Sequence, residues 1–248
     1  MQQNPAIVII AYNRLHCLQR LVGSVLAAHY PEGGNVPLII SIDKSNNPEV
    51  QQYAETVEWT HGDKKVICHS EHLGLKEHVL RCGDLTEQYD SIIMLEDDLL
   101  VSPWFYDYSL QTAAYYKNDE RIAGVSLYRY FHTENYYYPF HPIDDGFDIH
   151  FIQLPSSWGQ MFSASHWKPF KAWLQENGEH NYTSKLPIYL ANNWTKGSWK
   201  KHFVDYMINR GMYFVYPNTA VSTNYGEEGT NSVHKGVFQV PLLTEKES

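Results

Sequence analysis

The sequence has little positive charge for its length. Its 248 residues include 19 Lys and Arg against 28 Asp and Glu, so the formal net charge is −9. A nucleic-acid-binding protein needs a basic surface, and this balance argues against nucleic acid as a partner. An acidic protein that binds an anionic ligand has to supply positive charge locally, and a bound metal ion is one way to do so.

Cysteine and long apolar runs are also scarce. The three cysteines, Cys17, Cys68 and Cys82, are too few and too odd in number for a disulfide framework. We expect all three to be small core residues of a protein kept in a reducing compartment. No apolar run reaches the length of a membrane span, and the N-terminus has no signal-peptide pattern, which together predict a cytoplasmic protein.

Two familiar site patterns are missing. No Gly-rich phosphate loop follows the first predicted strand, where the chain instead reads Tyr12-Asn13-Arg14. The histidines His69, His72 and His78 do not have the spacing of zinc ligands, so we expect them to be solvated or core residues.

Short apolar runs and helix-period segments alternate along the first half of the chain. The runs at 6–11, 38–42, 92–95 and 122–128 are uninterrupted and bounded by polar residues, which is typical of buried strands. Between them apolar residues recur at helical spacing, as in 15–26. This order predicts an α/β fold in which helices cover both faces of a mostly parallel sheet.

Three consecutive carboxylates, Glu96, Asp97 and Asp98, follow the run at 92–95. Like charges this close raise one another's pKa unless a cation lies among them. Mg²⁺ or Mn²⁺ is a natural partner, because these cations bind one or two carboxylates together with phosphate oxygens. A solvated acidic turn at a strand end is the alternative interpretation.

Polar side chains also follow the first two strands. Tyr12, Asn13 and Arg14 come directly after the first, and Asp43 ends the second. Ligands of open parallel sheets bind beyond the carboxyl ends of the strands, so we expect these residues to share one cleft with the acidic motif. A helix-capping role for Asp43 is the alternative.

The alternation stops after residue 130. The segment 131–155 is crowded with aromatic residues and has no clean period, while helices are predicted over 167–175 and 199–209. No linker separates the two halves, 1–130 and 131–248, so we expect the second to fold against the first within one domain.

In kind and order these motifs resemble a known family. The chain has a strand ending in Tyr-Asn-Arg, a strand ending in Ser-Ile-Asp, a Leu-Gly-Leu turn and then Leu-Glu-Asp-Asp-Leu. Ser156-Ser157-Trp158-Gly159 and Asn224-Tyr225-Gly226 follow later. The set resembles the GT-A-fold inverting glycosyltransferases, and among these N-acetylglucosaminyltransferase I and bacterial enzymes of surface-polysaccharide synthesis.

The resemblance implies an activity. A metal-dependent inverting glycosyltransferase, with Mn²⁺ or Mg²⁺ as cofactor, would move a sugar from a nucleotide sugar, a UDP-sugar, to a hydroxyl of an acceptor. The acceptor would be a saccharide or a lipid-linked saccharide. A lipid-linked acceptor would bring a cytoplasmic enzyme to the inner face of the membrane as a peripheral protein.

The resemblance also implies roles for single residues. Asp98, the last acid of the motif, would bind the metal. Residues 1–130 would form the nucleotide-sugar-binding half, and 131–248 the acceptor-binding and catalytic half. The nucleotide-sugar-binding residues would be Tyr12, Asn13, Arg14, Asp43, Gly74, Glu96, Asp97, Ser157, Trp158 and Gly159.

The general base is expected in the second half. Inversion needs a carboxylate that takes a proton from the attacking hydroxyl on the face opposite the leaving group. By the resemblance, Asp205 lies where the family has its catalytic carboxylate, although a match on Trp199 puts Lys200 at that position instead. The substitutes for Asp205 are Asp145, Glu227 and Glu228.

Two other functions fit parts of the sequence. A nucleotidyltransferase would share the strand–helix alternation and the acidic metal site, but it would need the Gly-rich loop that is missing here. A carbohydrate-binding protein without catalysis would explain the aromatic content of 15%, but it has no use for three clustered carboxylates.

Overall fold

An eight-stranded sheet carries the fold, with a two-stranded sheet beside it. The computed structural model describes residues 4–133, 138–178, 185–195, 197–226 and 238–245. The strands are β1 (Ala6–Ala11), β2 (Leu38–Ile42), β3 (Lys64–Cys68), β4 (Ser91–Glu96), β5 (Leu99–Val101), β6 (Ile122–Ser126), β7 (Ile149–Ile152), β8 (Gln160–Ser163), β9 (Tyr213–Pro217) and β10 (Ser222–Asn224).

The larger sheet is mostly parallel. Its strand order is β3-β2-β1-β4-β8-β6-β9-β7, and β5 pairs with β10 in the smaller sheet. Strands β3, β2, β1 and β4 are parallel neighbours, whereas β8 runs antiparallel to both β4 and β6, and β7 antiparallel to β9. The carboxyl ends of β2, β1 and β4 therefore lie side by side at one edge of the sheet.

Helices cover both faces of the sheet, as the alternating pattern predicts. They are α1 (Leu15–Leu26), α2 (Pro48–Thr56), α3 (Gly74–Asp84), α4 (Thr86–Tyr89), α5 (Phe105–Tyr116), α6 (Ala164–Asn177), α7 (Ile188–Asn193) and α8 (Trp199–Arg210). Apolar residues of α1, α2 and α5 form one core layer, and those of α3, α6 and α8 form the other.

Strand β1 shows why the first apolar run needs no polar position. Ile7, Ile9 and Ala11 pack into the layer of α1, α2 and α5, while Ala6, Val8 and Ile10 pack into the layer on the opposite face. A strand between two parallel neighbours with both faces covered has no solvent-facing side, so every residue is apolar. All six residues of β1 are buried.

The second half contributes strands to the same sheet. The antiparallel strand β8 lies between β4 and β6, and β9 and β7 extend the sheet beyond β6. Around them, a large aromatic cluster includes Trp167, Phe170, Phe203 and Phe214. The aromatic residues of this half are therefore largely core, and the two halves share one sheet rather than two packed units.

Two further expectations meet the structure here. Cys17 and Cys82 are buried, but Cys68 is exposed, because it ends the edge strand β3. The prediction that all three cysteines are core residues is thus wrong for Cys68. Within the described ranges, no helix has both the length and the apolar character needed to cross a bilayer.

Candidate active site

A hollow of about 460 Å³ lies at the carboxyl ends of β2, β1 and β4. The residues that follow these strands line it, namely Tyr12, Asn13, Arg14, Asp43, Glu96, Asp97 and Asp98. The predicted cleft is thus present, since side chains distant in sequence meet where parallel strands end. Its volume is within the ~300–1,000 Å³ typical of small-molecule sites.

At one side of the hollow, which we call the Asp43 end, a carboxylate is held by backbone donors. Asp43 Oδ1 accepts hydrogen bonds from the Lys44 and Leu73 N–H groups at 2.8 Å each, and Oδ2 accepts one from the Gly74 N–H at 3.0 Å. His72 Nδ1 is 3.0 Å from Asp43 Oδ2. Burial by itself would raise the pKa of Asp43, but these donors outweigh it and lower the pKa below its usual range.

At the other side, which we call the acidic end, three carboxylates face one guanidinium. Arg14, directly before α1, donates to Asp97 and lies 3.2 Å from Asp98 Oδ2. A backbone hydrogen bond from Tyr12 also reaches Asp97. Arg14 is the one Lys or Arg among the described residues that line the hollow, so the acidic end keeps an excess of negative charge.

Burial, and to a lesser extent the neighbouring negative charges, raises the pKa of two carboxyl groups. Burial, together with the charges of Asp98 and Asp97, raises the pKa of Glu96 to about 8, although Lys200 and Arg14 act in the opposite sense. Burial raises the pKa of Asp97 to about 6 against the lowering effect of Arg14. Both shifts measure how poorly the acidic end tolerates its own negative charge without a cation.

Two carboxylate oxygens at the acidic end have no hydrogen-bond partner among the described residues. They are Glu96 Oε1 and Asp98 Oδ1, both without solvent contact. Asp98 Oδ1 fits a hard divalent cation, which prefers carboxylate oxygens. Among all the residues that the structure describes, no group of three or more His, Cys, Asp or Glu side chains is arranged to hold a metal. A cation bound here would therefore need further oxygens from a ligand.

Trp158 and Ser157 form part of the wall that the second half contributes. The Trp158 ring packs edge-on against Tyr128, with centroids 4.7 Å apart, and lies 4.7 Å from the Phe238 ring. Ser222 Oγ donates to the Trp158 carbonyl at 2.5 Å. These contacts fix an indole beside the acidic end, where a sugar ring could stack against it.

Gly159 is not on the wall of the hollow, although it was predicted to bind the nucleotide sugar. Its φ is +89°, and a Cβ there would lie 2.7 Å from Ser222 Oγ and 3.1 Å from the Leu127 Cβ. Glycine is thus needed for the turn before β8, because a side chain would be strained and would clash. By contrast, Gly74, also predicted, does line the hollow.

Asp205, the predicted general base, is not among the residues that line the hollow. It lies within α8 with no exposed surface, and its Oδ1 accepts a hydrogen bond from Asn209 Nδ2 at 3.3 Å. A carboxylate enclosed in the core cannot contact an acceptor hydroxyl, so this geometry gives the predicted role no support.

The other candidates for the base either do not line the hollow or lie outside the described residues. Asp145 is exposed, accepts a hydrogen bond from the Phe147 N–H at 3.2 Å and does not line the hollow. Glu227 and Glu228 lie outside the described residues. Lys200 places its Nζ 5.9 Å from the Trp158 ring centroid, beside the wall of the hollow.

Several lining residues were missed by sequence reasoning. His78 is buried and lines the hollow, with Nε2 2.8 Å from Ser41 Oγ, and His72 joins Asp43. The spacing of zinc ligands, the one pattern compared with these histidines, does not indicate that His72 and His78 line the hollow. Asn224 and Gly226 belong to a motif of the sequence to which no role was assigned, and nothing in the sequence indicates that Phe238 lines the hollow.

The comparisons with known proteins agree with this geometry. The model of the GNT-I family matches residues 1–135 of this chain. The alpha-1,3-mannosyl-glycoprotein 2-beta-N-acetylglucosaminyltransferase of Arabidopsis thaliana is 23% identical over 246 residues, which is 91% of this chain and 48% of that protein. The chain thus spans about half the length of this curated relative.

A solved structure shows the same fold. The crystal structure of GalNAc-T7 with UDP, GalNAc and Mn²⁺ superposes with a TM-score of 0.59 at 14% identity, over 87% of this chain and 43% of that one. This likeness confirms the predicted GT-A fold. With a family model matching more than half of its residues, the chain belongs to the GNT-I family of glycosyltransferases.

Proposed function

We propose that this chain is a metal-dependent inverting glycosyltransferase that uses a UDP-sugar and transfers the sugar to a saccharide hydroxyl. The observation that carries the proposal is the meeting of Asp43, Arg14 and the three carboxylates around one hollow at three parallel strand ends. Membership of the GNT-I family supports a nucleotide-sugar donor.

The two ends of the hollow suit different parts of such a donor. The Asp43 end offers a fixed carboxylate acceptor with a low pKa, which suits the N–H and hydroxyl donors of a nucleoside. The acidic end suits the diphosphate only if a cation is present. We assign Mn²⁺ or Mg²⁺ to Asp98, whose Oδ1 has no hydrogen-bond partner among the described residues. When bound, this ion neutralises the charge of the departing diphosphate as a Lewis acid.

The residues of the chain then orient the sugar. Glu96 and Trp158 line the same hollow, one with an oxygen that has no hydrogen-bond partner among the described residues and the other with an aromatic face. The carboxyl of Glu96 suits a sugar hydroxyl, and the indole suits the apolar face of the ring. For the acceptor we propose a saccharide, free or lipid-linked, in glycan or surface-polysaccharide synthesis, with a cytoplasmic enzyme reaching lipid-linked acceptors from the inner face of the membrane.

A panel of nucleotide sugars tests the proposal. Purified protein with MnCl₂ should release UDP from a UDP-sugar, and release should stop with EDTA and return when excess MnCl₂ is added. Release of pyrophosphate from a nucleoside triphosphate and a sugar 1-phosphate, supplied in place of the nucleotide sugar, would favour a nucleotidyltransferase. Saccharide binding without release of any nucleotide, across all donors and oligosaccharide acceptors, would favour a carbohydrate-binding protein and overturn the proposal.

A further inference from the structure

Helix α1 contacts the acidic end at a second place besides Arg14. Arg20, within α1, lies over the ring of Tyr225, with its Cζ 3.7 Å from the ring centroid. A guanidinium at this distance from an aromatic face makes a cation–π contact. We call this pair the Arg20–Tyr225 clamp.

Tyr225 is tied directly to the acidic motif. Its backbone N–H donates to the Asp98 carbonyl at 3.0 Å. The preceding residue, Asn224, pairs with Leu99 in the antiparallel sheet of β10 and β5. Leu99 is the residue immediately after Asp98. The position of the Tyr225 ring is therefore coupled to the backbone of Asp98.

The residues on either side of Tyr225 form part of the hollow. Asn224 and Gly226 both line it, as does Asp98, and Asn224 Oδ1 accepts a hydrogen bond from the Gly226 N–H at 2.7 Å. Arg20 itself does not line the hollow. Arg20 therefore contacts Tyr225, the residue between two lining residues, without lining the hollow itself.

We propose that Arg20, by holding the Tyr225 ring, positions the Asp98–Asn224–Gly226 wall for the metal-bound diphosphate of the donor. This inference rests on the proposed function. Arg14, directly before α1, holds the Asp97 and Asp98 side chains, and Arg20 of α1 holds Tyr225, which directly follows β10, so the segment 14–20 sets both. Arg20 is a positioning residue, because it acts through Tyr225 and does not contact the ligand.

The test compares variants that keep or remove the clamp. Arg20→Gln removes the charge, Tyr225→Leu removes the ring, and Tyr225→Phe keeps the ring without its hydroxyl. Arg121→Gln is the matched control for charge, since Arg121 is exposed, pairs with Asp119 and does not line the hollow. Affinity for UDP with MnCl₂ is measured by calorimetry, and melting temperature is measured without ligand.

We expect Arg20→Gln and Tyr225→Leu each to weaken UDP–Mn²⁺ binding about fivefold or more, in keeping with the loss of one partly buried cation–π contact. Tyr225→Phe and Arg121→Gln should stay within about twofold of the wild type. The double variant should bind no more weakly than either single one, because both remove the same contact. Melting temperatures of the unliganded variants should differ little.

Several results would contradict the proposed positioning role of Arg20. They are unchanged affinity in Arg20→Gln, an equal loss in Tyr225→Phe and Tyr225→Leu, and losses that simply add in the double variant. Lowered melting temperatures with unchanged affinity would show a merely structural contact. Each of these leaves the proposed function standing if the wild type binds UDP with MnCl₂. A wild type that binds neither UDP nor GDP would overturn both.

Discussion

The two ends of the hollow treat their carboxylates in opposite ways. Asp43 accepts three backbone hydrogen bonds and faces His72, and its pKa is lowered. Glu96 has an oxygen without a partner among the described residues, and its pKa is raised to about 8. The Asp43 end supplies its carboxylate with donors from the protein, whereas the acidic end has, among the described residues that line the hollow, one guanidinium for three carboxylates. This difference indicates which end depends on a bound cation.

The largest effect should come from Asp98→Asn. If Asp98 holds the cation that neutralises the leaving diphosphate, its loss should lower the rate of UDP release at least ~100-fold, because Lewis-acid stabilisation is worth several kcal/mol. The rate is measured with a UDP-sugar and MnCl₂, and UDP–Mn²⁺ affinity by calorimetry. Glu87→Gln, an exposed change on α4, is the control and should leave the rate unchanged. If the rate of Asp98→Asn is within threefold of the wild-type rate, the assignment of the cation to Asp98 is wrong.

At the Asp43 end, Asp43→Ala should mainly cost stability. It leaves the N–H groups of Lys44, Leu73 and Gly74 without their acceptor. Because Lys44 is exposed and Leu73 and Gly74 are half-buried, water replaces part of the lost acceptor, and we expect the free energy of unfolding in urea to fall by about 1–2 kcal/mol. Asp43→Asn keeps one carbonyl oxygen and should lose less. Equal stability of the wild type and Asp43→Ala would mean that the three backbone hydrogen bonds to Asp43 do not stabilise the folded protein.

The third effect is a pH dependence at the acidic end. The pKa of Glu96 rises from an ordinary 4.5 to about 8 on folding, so the folded protein binds the extra proton between these values. Its contribution to the free energy of unfolding is then largest at low pH and is lost as the pH rises through that window. Glu96→Gln removes the titrating group, so urea unfolding in EDTA should depend less steeply on pH between about 5 and 8.

Two additions sharpen this third experiment. Glu87→Gln should leave the pH profile of the wild type unchanged, because Glu87 is exposed. MnCl₂ together with UDP should restore stability at high pH in the wild type by binding the folded state. A Glu96→Gln profile as steep as that of the wild type would place the pH dependence elsewhere.

Sequence reasoning predicted β1, β2 and β4 well, because each consists mainly of apolar residues that are buried. It was weaker for β8, which is four residues long and lies antiparallel between β4 and β6. Nothing local in such a short segment tells which strands it will pair with, since pairing depends on partners far away in the chain.

The same limit applies to the site. Residues at strand ends could be placed because the end of a parallel strand predicts an edge of the sheet. The position of Asp205 could not, because neighbouring residues of a helix face different directions and only the packing of α8 shows that Asp205 faces the core. Likewise, the motif containing Gly159 indicated a functional turn, but only packing against Ser222 and Leu127 showed that its glycine serves the fold.

By itself, the sequence determined the α/β alternation, the acidic motif and the strand ends that carry polar residues, because these follow from local composition and period. The tertiary structure alone decided which carboxylates are satisfied. Asp43 and Glu96 are both acids at strand ends, yet loop 69–74 brings backbone donors to one and the folded core brings mainly burial and like charge to the other. Electrostatic environment is a property of neighbours in space, and the order of residues along the chain does not contain it directly.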